Sequence, residues 1–192
     1  MRILGISGSL RRESHNSALL RAAAEHLPAG VELELWDGLR EVPAYDQDDE
    51  VDPAPAAVAD LRSAVAGADA VLIATPEYNH SIPGALKNAH DWASRPFATN
   101  AFRGTPVAVI GTSTGLFGAV WAQAELRKVL AAMGARVVDV ELALGQAADR
   151  FDDGVLVDAA EHERLAAVVA ALVDEATPAG EAMPRLQLPA AA

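Results

Sequence analysis

The chain has no cysteine among its 192 residues. That excludes disulfides, thiolate metal sites and thiol nucleophiles. Positive charge is also scarce: 15 Lys and Arg stand against 27 Asp and Glu, for a net charge of −12. The isoelectric point is about 4.7. A nucleic-acid binder needs a basic stripe, so that class of partner is excluded. No apolar run reaches the roughly 18 residues of a membrane helix. The short apolar run after Arg2 leads straight into glycine and serine, which is not the pattern of a signal peptide. The expected compartment is the cytoplasm, with neither a membrane nor a nucleic acid as partner. Aromatic residues make up only 5%.

What is present is apolar and alternating. Hydrophobic residues are 51% of the chain and the mean hydropathy is +0.14, which suits one compact domain over residues 1–176. The Pro- and Ala-rich end, 177–192, reads as a flexible tail. Ile3–Ile6, Val31–Trp36, Ala70–Thr75, Pro106–Gly111 and Val137–Leu142 read as strands. Helical spacing follows each of them. A helix is expected to start at Asp52-Pro53, another at Pro83, and a third to run through about Met133. Asp158 and Glu161 resemble a capping box for the last helix, whose apolar face is Leu165, Val168, Val169 and Leu172. Strands alternating with helices predict an α/β fold: a five-stranded, doubly wound parallel sheet of order 2-1-3-4-5, with helices on both faces. A ligand then sits at the carboxyl ends of the strands, where loops 7–17, 76–83 and 112–118 meet.

Each of those loops is rich in polar and small residues. The first, GSLRRESHNS, places Ser9, Arg11, Ser14, Asn16 and Ser17 before a helix start. Hydroxyls, one guanidinium and the positive end of a helix dipole suit a phosphomonoester. The alternative for Asn16 or Ser17 is a plain helix cap. The loop matches neither G-x4-G-K-[ST] nor G-x-G-x-x-G. The second loop carries Pro76, Glu77, Tyr78, Asn79, His80 and Ser81 where a simple turn would serve the topology.

The patterns G-S-x-R-x-x-S-x-N in the first loop and P-E-Y-N-x-S-x-P-G-x-L-K-N-x-x-D-W in the second resemble the NADPH-dependent FMN reductases, also called NAD(P)H:quinone or chromate reductases. The resemblance spans roughly residues 2–175, with PAYDQD at 43–48 and SRPF at 94–97. It implies a flavodoxin-like fold that holds FMN non-covalently. By resemblance, Ser9, Arg11, Ser14, Asn16 and Ser17 hold the phosphate, and Pro76, Glu77, Tyr78 and Asn79 lie against the isoalloxazine, largely through backbone groups. Ser113, Gly115 and Gly118 of the third loop are expected to flank the ring, although Ala119 stands where the family commonly has a second glycine. The co-substrate is NADPH or NADH, and the acceptor is a small molecule such as a quinone, free flavin, azo compound or metal oxyanion. A homodimer or homotetramer is implied, with the helix from Pro83 as an interface element.

Two rival readings remain at this stage. One is a flavodoxin-like electron carrier with no substrate of its own, docking through its acidic surface. The other takes Gly111, Ser113 and Gly115 as a G-x-S-x-G nucleophile elbow, with Asp149 or Asp152 and His162 completing a serine hydrolase. The histidines His15, His26, His80 and His90 have no metal-ligand spacing, and the acidic run 46–52 lacks an EF-hand pattern, so no metal is expected. His26, near a helix end, reads as a partner of the dipole.

Overall fold

The computed structural model describes residues 1–177. Strands β1 (Arg2–Ser7), β2 (Glu32–Trp36), β3 (Ala70–Thr75), β4 (Pro106–Thr112) and β5 (Arg136–Val137) lie in the order β2-β1-β3-β4-β5, and β6 (Leu142–Leu144) also pairs with β4. Every pairing in this sheet is parallel. This is the order expected from the sequence. The tail expected beyond Thr177 lies outside the described residues.

Successive side chains of a buried strand serve opposite faces, and the core divides accordingly. Ile3, Leu72 and Ile110 pack with Leu19 and Leu20 of helix α1 (His15–Ala24) and with Leu165, Val168 and Leu172 of α6 (Ala159–Ala176). Leu4, Ile73 and Val109 pack on the other side with α2 (Ala56–Ala66), α3 (Gly84–Ala93) and α4 (Val120–Ala132), through Leu61, Leu86 and Leu126. Each such leucine contributes about 1.5–3 kcal/mol by leaving water. β2 is an edge strand, and Leu35 on it stays 41% exposed.

The structure departs from the sequence expectations in several places. The fifth strand is split. The chain leaves the sheet after Val137 and rejoins β4 at Leu142. Arg127 of α4 fills the gap: Nη1 donates to the carbonyls of Val138 and Val140 at 2.9 and 2.7 Å, and Nη2 to Asp139 Oδ1 at 2.9 Å. Helix α2 starts at Ala56, not at Pro53. Pro53 and Pro55 push the residues before them out of the helical region, so the first helical turn forms only after the second proline. Between β6 and α6 the chain adds a short helix, α5 (Ala147–Arg150), and an antiparallel hairpin of β7 (Phe151–Asp152) and β8 (Val155–Leu156). Asp153 and Gly154 turn that hairpin at φ 44° and 76°, the left-handed pair that an Asp-Gly turn favours.

Asp158 caps α6 as expected, accepting from the amides of Ala160 and Glu161 at 3.0 and 3.2 Å. The reciprocal half of the capping box is missing, because Glu161 turns to Arg164 at 2.8 Å. His26 lies just past the end of α1, as expected. Its Nε2 lies 2.9 Å from His162 Nδ1, and burial together with that neighbour lowers its pKa.

His90 of α3 is 2% exposed. Its Nδ1 donates to Leu86 O at 2.7 Å, its Nε2 has no partner among the described residues, and the ring stacks on Phe102. Burial pushes its pKa below the ordinary histidine value. The unfolded chain therefore takes up a proton near pH 6.5 that the fold refuses, so this stability is complete above that pH and is lost as pH falls below it. The urea midpoint should fall between pH of about 7.5 and about 5.5, and His90→Phe should flatten that slope. Equal slopes in the two proteins would refute the assignment.

Candidate functional site

Parallel pairing sets Ser7 beside Ala74, and Thr75 beside Gly111. The carboxyl ends of β1, β3 and β4 are thus level, and the loops that leave them meet. They enclose a cavity of about 160 Å³. The first loop contributes Ser9, Arg11, Ser14, His15 and Asn16, the second Pro76, Glu77 and Tyr78, and the third Thr112, Ser113 and Thr114. The volume is small beside the roughly 300–1,000 Å³ of an enclosed ligand site. It suits the anionic end of a ligand whose remainder lies in an open groove.

In the first loop, Ser14 is the N-cap of α1, and its hydroxyl accepts from Ser17 N at 3.3 Å. The Arg11 side chain is exposed and forms no ion pair or hydrogen bond with the described residues. The carboxamide of Asn16, expected as a free donor, is tied to the third loop. Nδ2 donates to Thr112 O and Oδ1 accepts from Thr112 N, both at 3.0 Å. One Nδ2 hydrogen is left over, and the backbone N–H of Asn16 is also open. Ser17 does not line the cavity, because its hydroxyl donates to Ser7 Oγ at 2.8 Å.

The second loop is a tight turn. Tyr78 and Ser81 exchange both backbone hydrogen bonds at 3.1 Å, with Asn79 and His80 at φ 54° and 59° between them. Asn79 thus forms the turn and stays outside the cavity lining. Glu77 turns toward α4, where Oε2 accepts from the amides of Trp121 and Ala122 at 3.0 Å each. That helix needs an outside cap, since Ala119 precedes it at φ 64° and has no side chain to bond its free amides. Glu125 of α4 reaches back, accepting from Ser81 Oγ at 2.6 Å and Ile82 N at 3.4 Å. His80 sits edge-on to Trp121, with ring centroids 4.5 Å apart. Tyr78, Leu116, Phe117 and Trp121 form an apolar rim and stay 56%, 72%, 61% and 41% exposed.

The third loop rests on β6. Thr112 Oγ1 donates to Leu144 O at 2.8 Å, and Ser113 N to the same carbonyl at 3.2 Å. Gly118, expected beside the ring, has another task. It adopts φ 57°, and a Cβ there would lie 2.3 Å from the Ala143 carbonyl carbon. Only glycine lets the loop come this close to the strand. Gly115 is likewise outside the lining, and its carbonyl accepts from Gln146 N at 2.8 Å. The hydrolase triad does not assemble. The rings of His162 and His26 meet at 2.9 Å, and His162 Nε2 donates to Leu156 O at the same distance. Ser113 Oγ points instead to Gly115 O at 3.5 Å.

His15, Thr112 and Thr114 were not among the expected site residues. His15 stood inside the first loop motif and was read only for metal spacing, while the threonines flank Ser113 in GTSTG. The acidic run is held from outside: Glu50 accepts from Tyr45 and pairs with Arg95 at 3.3 Å. No group of metal-ligating side chains gathers among the described residues.

Residues 1–149 match the sequence profile of the NADPH-dependent FMN reductases. A NAD(P)H-dependent FMN reductase of Pseudomonas aeruginosa is 43% identical over 160 residues, 82% of this chain and 85% of its own length. A 2-hydroxy-1,4-benzoquinone reductase of a Burkholderia species is 44% identical over 131 residues, 68% of this chain and 70% of its own. Among solved structures, the flavoenzyme NAD(P)H:(acceptor) oxidoreductase FerB of Paracoccus denitrificans superposes with a TM-score of 0.82 at 36% identity, covering 91% of this chain and 96% of its own.

The Glu77 carboxylate caps α4 from another loop, so Glu77→Ala should cost about 1–2 kcal/mol of stability, as loss of a helix cap does. Chemical denaturation measures this. A loss below about 0.3 kcal/mol would mean that water replaces the carboxylate at no cost.

Proposed function

Because the chain belongs to the NADPH-dependent FMN reductase family, we propose that it carries reducing equivalents from NAD(P)H, through a non-covalently held FMN, to a quinone. It is an oxidoreductase with FMN as cofactor and NAD(P)H as co-substrate. When bound, FMN would supply the hydride chemistry. The protein supplies position and electrostatics.

The observation that carries this reading is the donor set of the cavity. The guanidinium of Arg11, which has no partner among the described residues, stands with Ser9 and Ser14 in the loop before α1. The backbone N–H groups of His15 and Asn16 have no acceptor among the described residues. Hydroxyls, amides and a guanidinium match a phosphate dianion. Pro76 to Tyr78 and Ser113 to Thr114 line the same cavity, which supports them as neighbours of the ring. The hydride chemistry requires no protein acid or base.

The relative named for 2-hydroxy-1,4-benzoquinone supports a quinone as acceptor. The exposed Tyr78, Leu116, Phe117 and Trp121 beside the cavity support association with a second copy, as a homodimer or homotetramer whose contact borders the site. The compartment we infer is the cytoplasm, where NAD(P)H is regenerated. No helix among the described residues is long and apolar enough to cross a membrane.

The purified protein should be yellow, bleach with NADPH under anaerobic conditions, and recover its colour when a benzoquinone is added. A flavin that NADPH bleaches only in the presence of an added reductase would instead identify an electron carrier. Arg11→Ala should weaken FMN binding by about 1.5–3 kcal/mol, the value of hydrogen bonds to a charged group. Unchanged affinity in a flavin-fluorescence titration would remove Arg11 from the phosphate site.

A further inference from the structure

His15 has no place in the chemistry above, yet it shares the cavity with Arg11, Ser9 and Ser14. It is the first residue of α1, directly after the Ser14 cap. Its ring lies against Phe151 of β7, with centroids 5.2 Å apart and planes tilted by 39°. Phe151 is 8% exposed, so the imidazole has an apolar wall behind it and the anion-binding cavity in front. Neither ring nitrogen has a hydrogen-bond partner among the described residues. We propose that His15 is a second, protonatable ligand of the FMN phosphate, so that cofactor binding takes up a proton from solvent. This rests on the FMN reading above and adds a regulation of the same site by pH.

The charges around the ring set the direction. Arg11, on the same loop, is the charged group that acts on it. Phe151 brings no charge from the hairpin. Glu77 lines the cavity from the second loop, but one of its oxygens is held by the amides of Trp121 and Ala122. The third loop presents Ser113 and Thr114. Partial burial and Arg11 both hold the imidazole below its ordinary pKa, so it is neutral in the free protein at pH 7. A phosphate dianion between Arg11 and His15 reverses that balance. It cancels the repulsion and attracts a proton to the lone-pair nitrogen. The protonated ring then donates an N–H to a phosphate oxygen. No other bond is made or broken, and the total charge rises by the one proton bound.

Linkage makes this measurable. FMN affinity must rise as pH falls from above the liganded pKa of His15 toward its free value. The phosphate's own second ionisation, with a pKa near 6, works the other way below that point. A His15→Gln variant carries the phosphate effect alone, so the ratio of the two proteins' affinities isolates the imidazole. Flavin-fluorescence titrations at pH of about 8.5 and 6.5 should show wild type gaining about threefold to tenfold over His15→Gln, a tenfold gain corresponding to one pKa unit. Riboflavin, which lacks the phosphate, should show no such gain. NMR of the wild-type imidazole protons, with and without FMN, should show the His15 pKa rising on binding. That last measurement stands even if the variant folds poorly.

Parallel pH curves for the two proteins, an unchanged His15 pKa, or the same gain with riboflavin would each overturn the proposal while leaving the FMN reading intact. Absence of FMN binding at every pH would overturn both.

Discussion

The two hydrogen bonds between the Asn16 carboxamide and the backbone of Thr112 hold the site in shape. They span 96 residues of sequence and tie the first turn of α1 to the end of β4. A primary amide can donate and accept on one face, as a strand does, so Asn16 continues the sheet's ladder with a side chain. Both atoms are buried, so an unpaired amide on either side would be costly. The first and third loops are therefore kept at a set separation before any ligand arrives, and Arg11 projects from a rigid base.

The second loop is fixed by a different means. One carboxylate runs from the loop to the helix and another from the helix back to the loop: Glu77 onto α4, and Glu125 onto Ser81. In a chain with net charge −12, carboxylates beside an anion site are a hazard. Here both accept from hydroxyl and amide donors. Glu77 still lines the cavity, but beside it stand Arg11, which has no ion pair among the described residues, and several hydroxyls. A cation and donors gathered at one place let an acidic protein hold a phosphate.

The sheet was legible because β1, β3 and β4 are buried on both sides and read as unbroken apolar runs, and because parallel crossovers leave few orders. The site was legible as a place, since polar loops at three neighbouring strand ends can face only one ligand. Individual roles were less visible. Asn16 and Gly118 carry the residue types of a binding loop, but what they touch depends on Thr112 and Ala143, far along the chain, and no local pattern records such a contact. The split of the fifth strand depends on Arg127, a residue of the preceding helix. The hairpin at Asp153-Gly154 carried a local signal, but its strands of two residues each are too short for an alternating pattern to show.

The placement of β1 also bears on how the chain is made. It is made before the other strands described, yet it ends in the interior of the sheet, with β2 on one side and β3 on the other. Its register with β3 begins at Ile3 against Ala70. During synthesis β1 therefore waits, apolar and unpaired on one edge, until β3 has followed it out of the exit tunnel. The partner of Asn16, Thr112, emerges later still. The pocket thus takes shape only once β4 has been made, and a chain cut short before that strand has no place for a nucleotide.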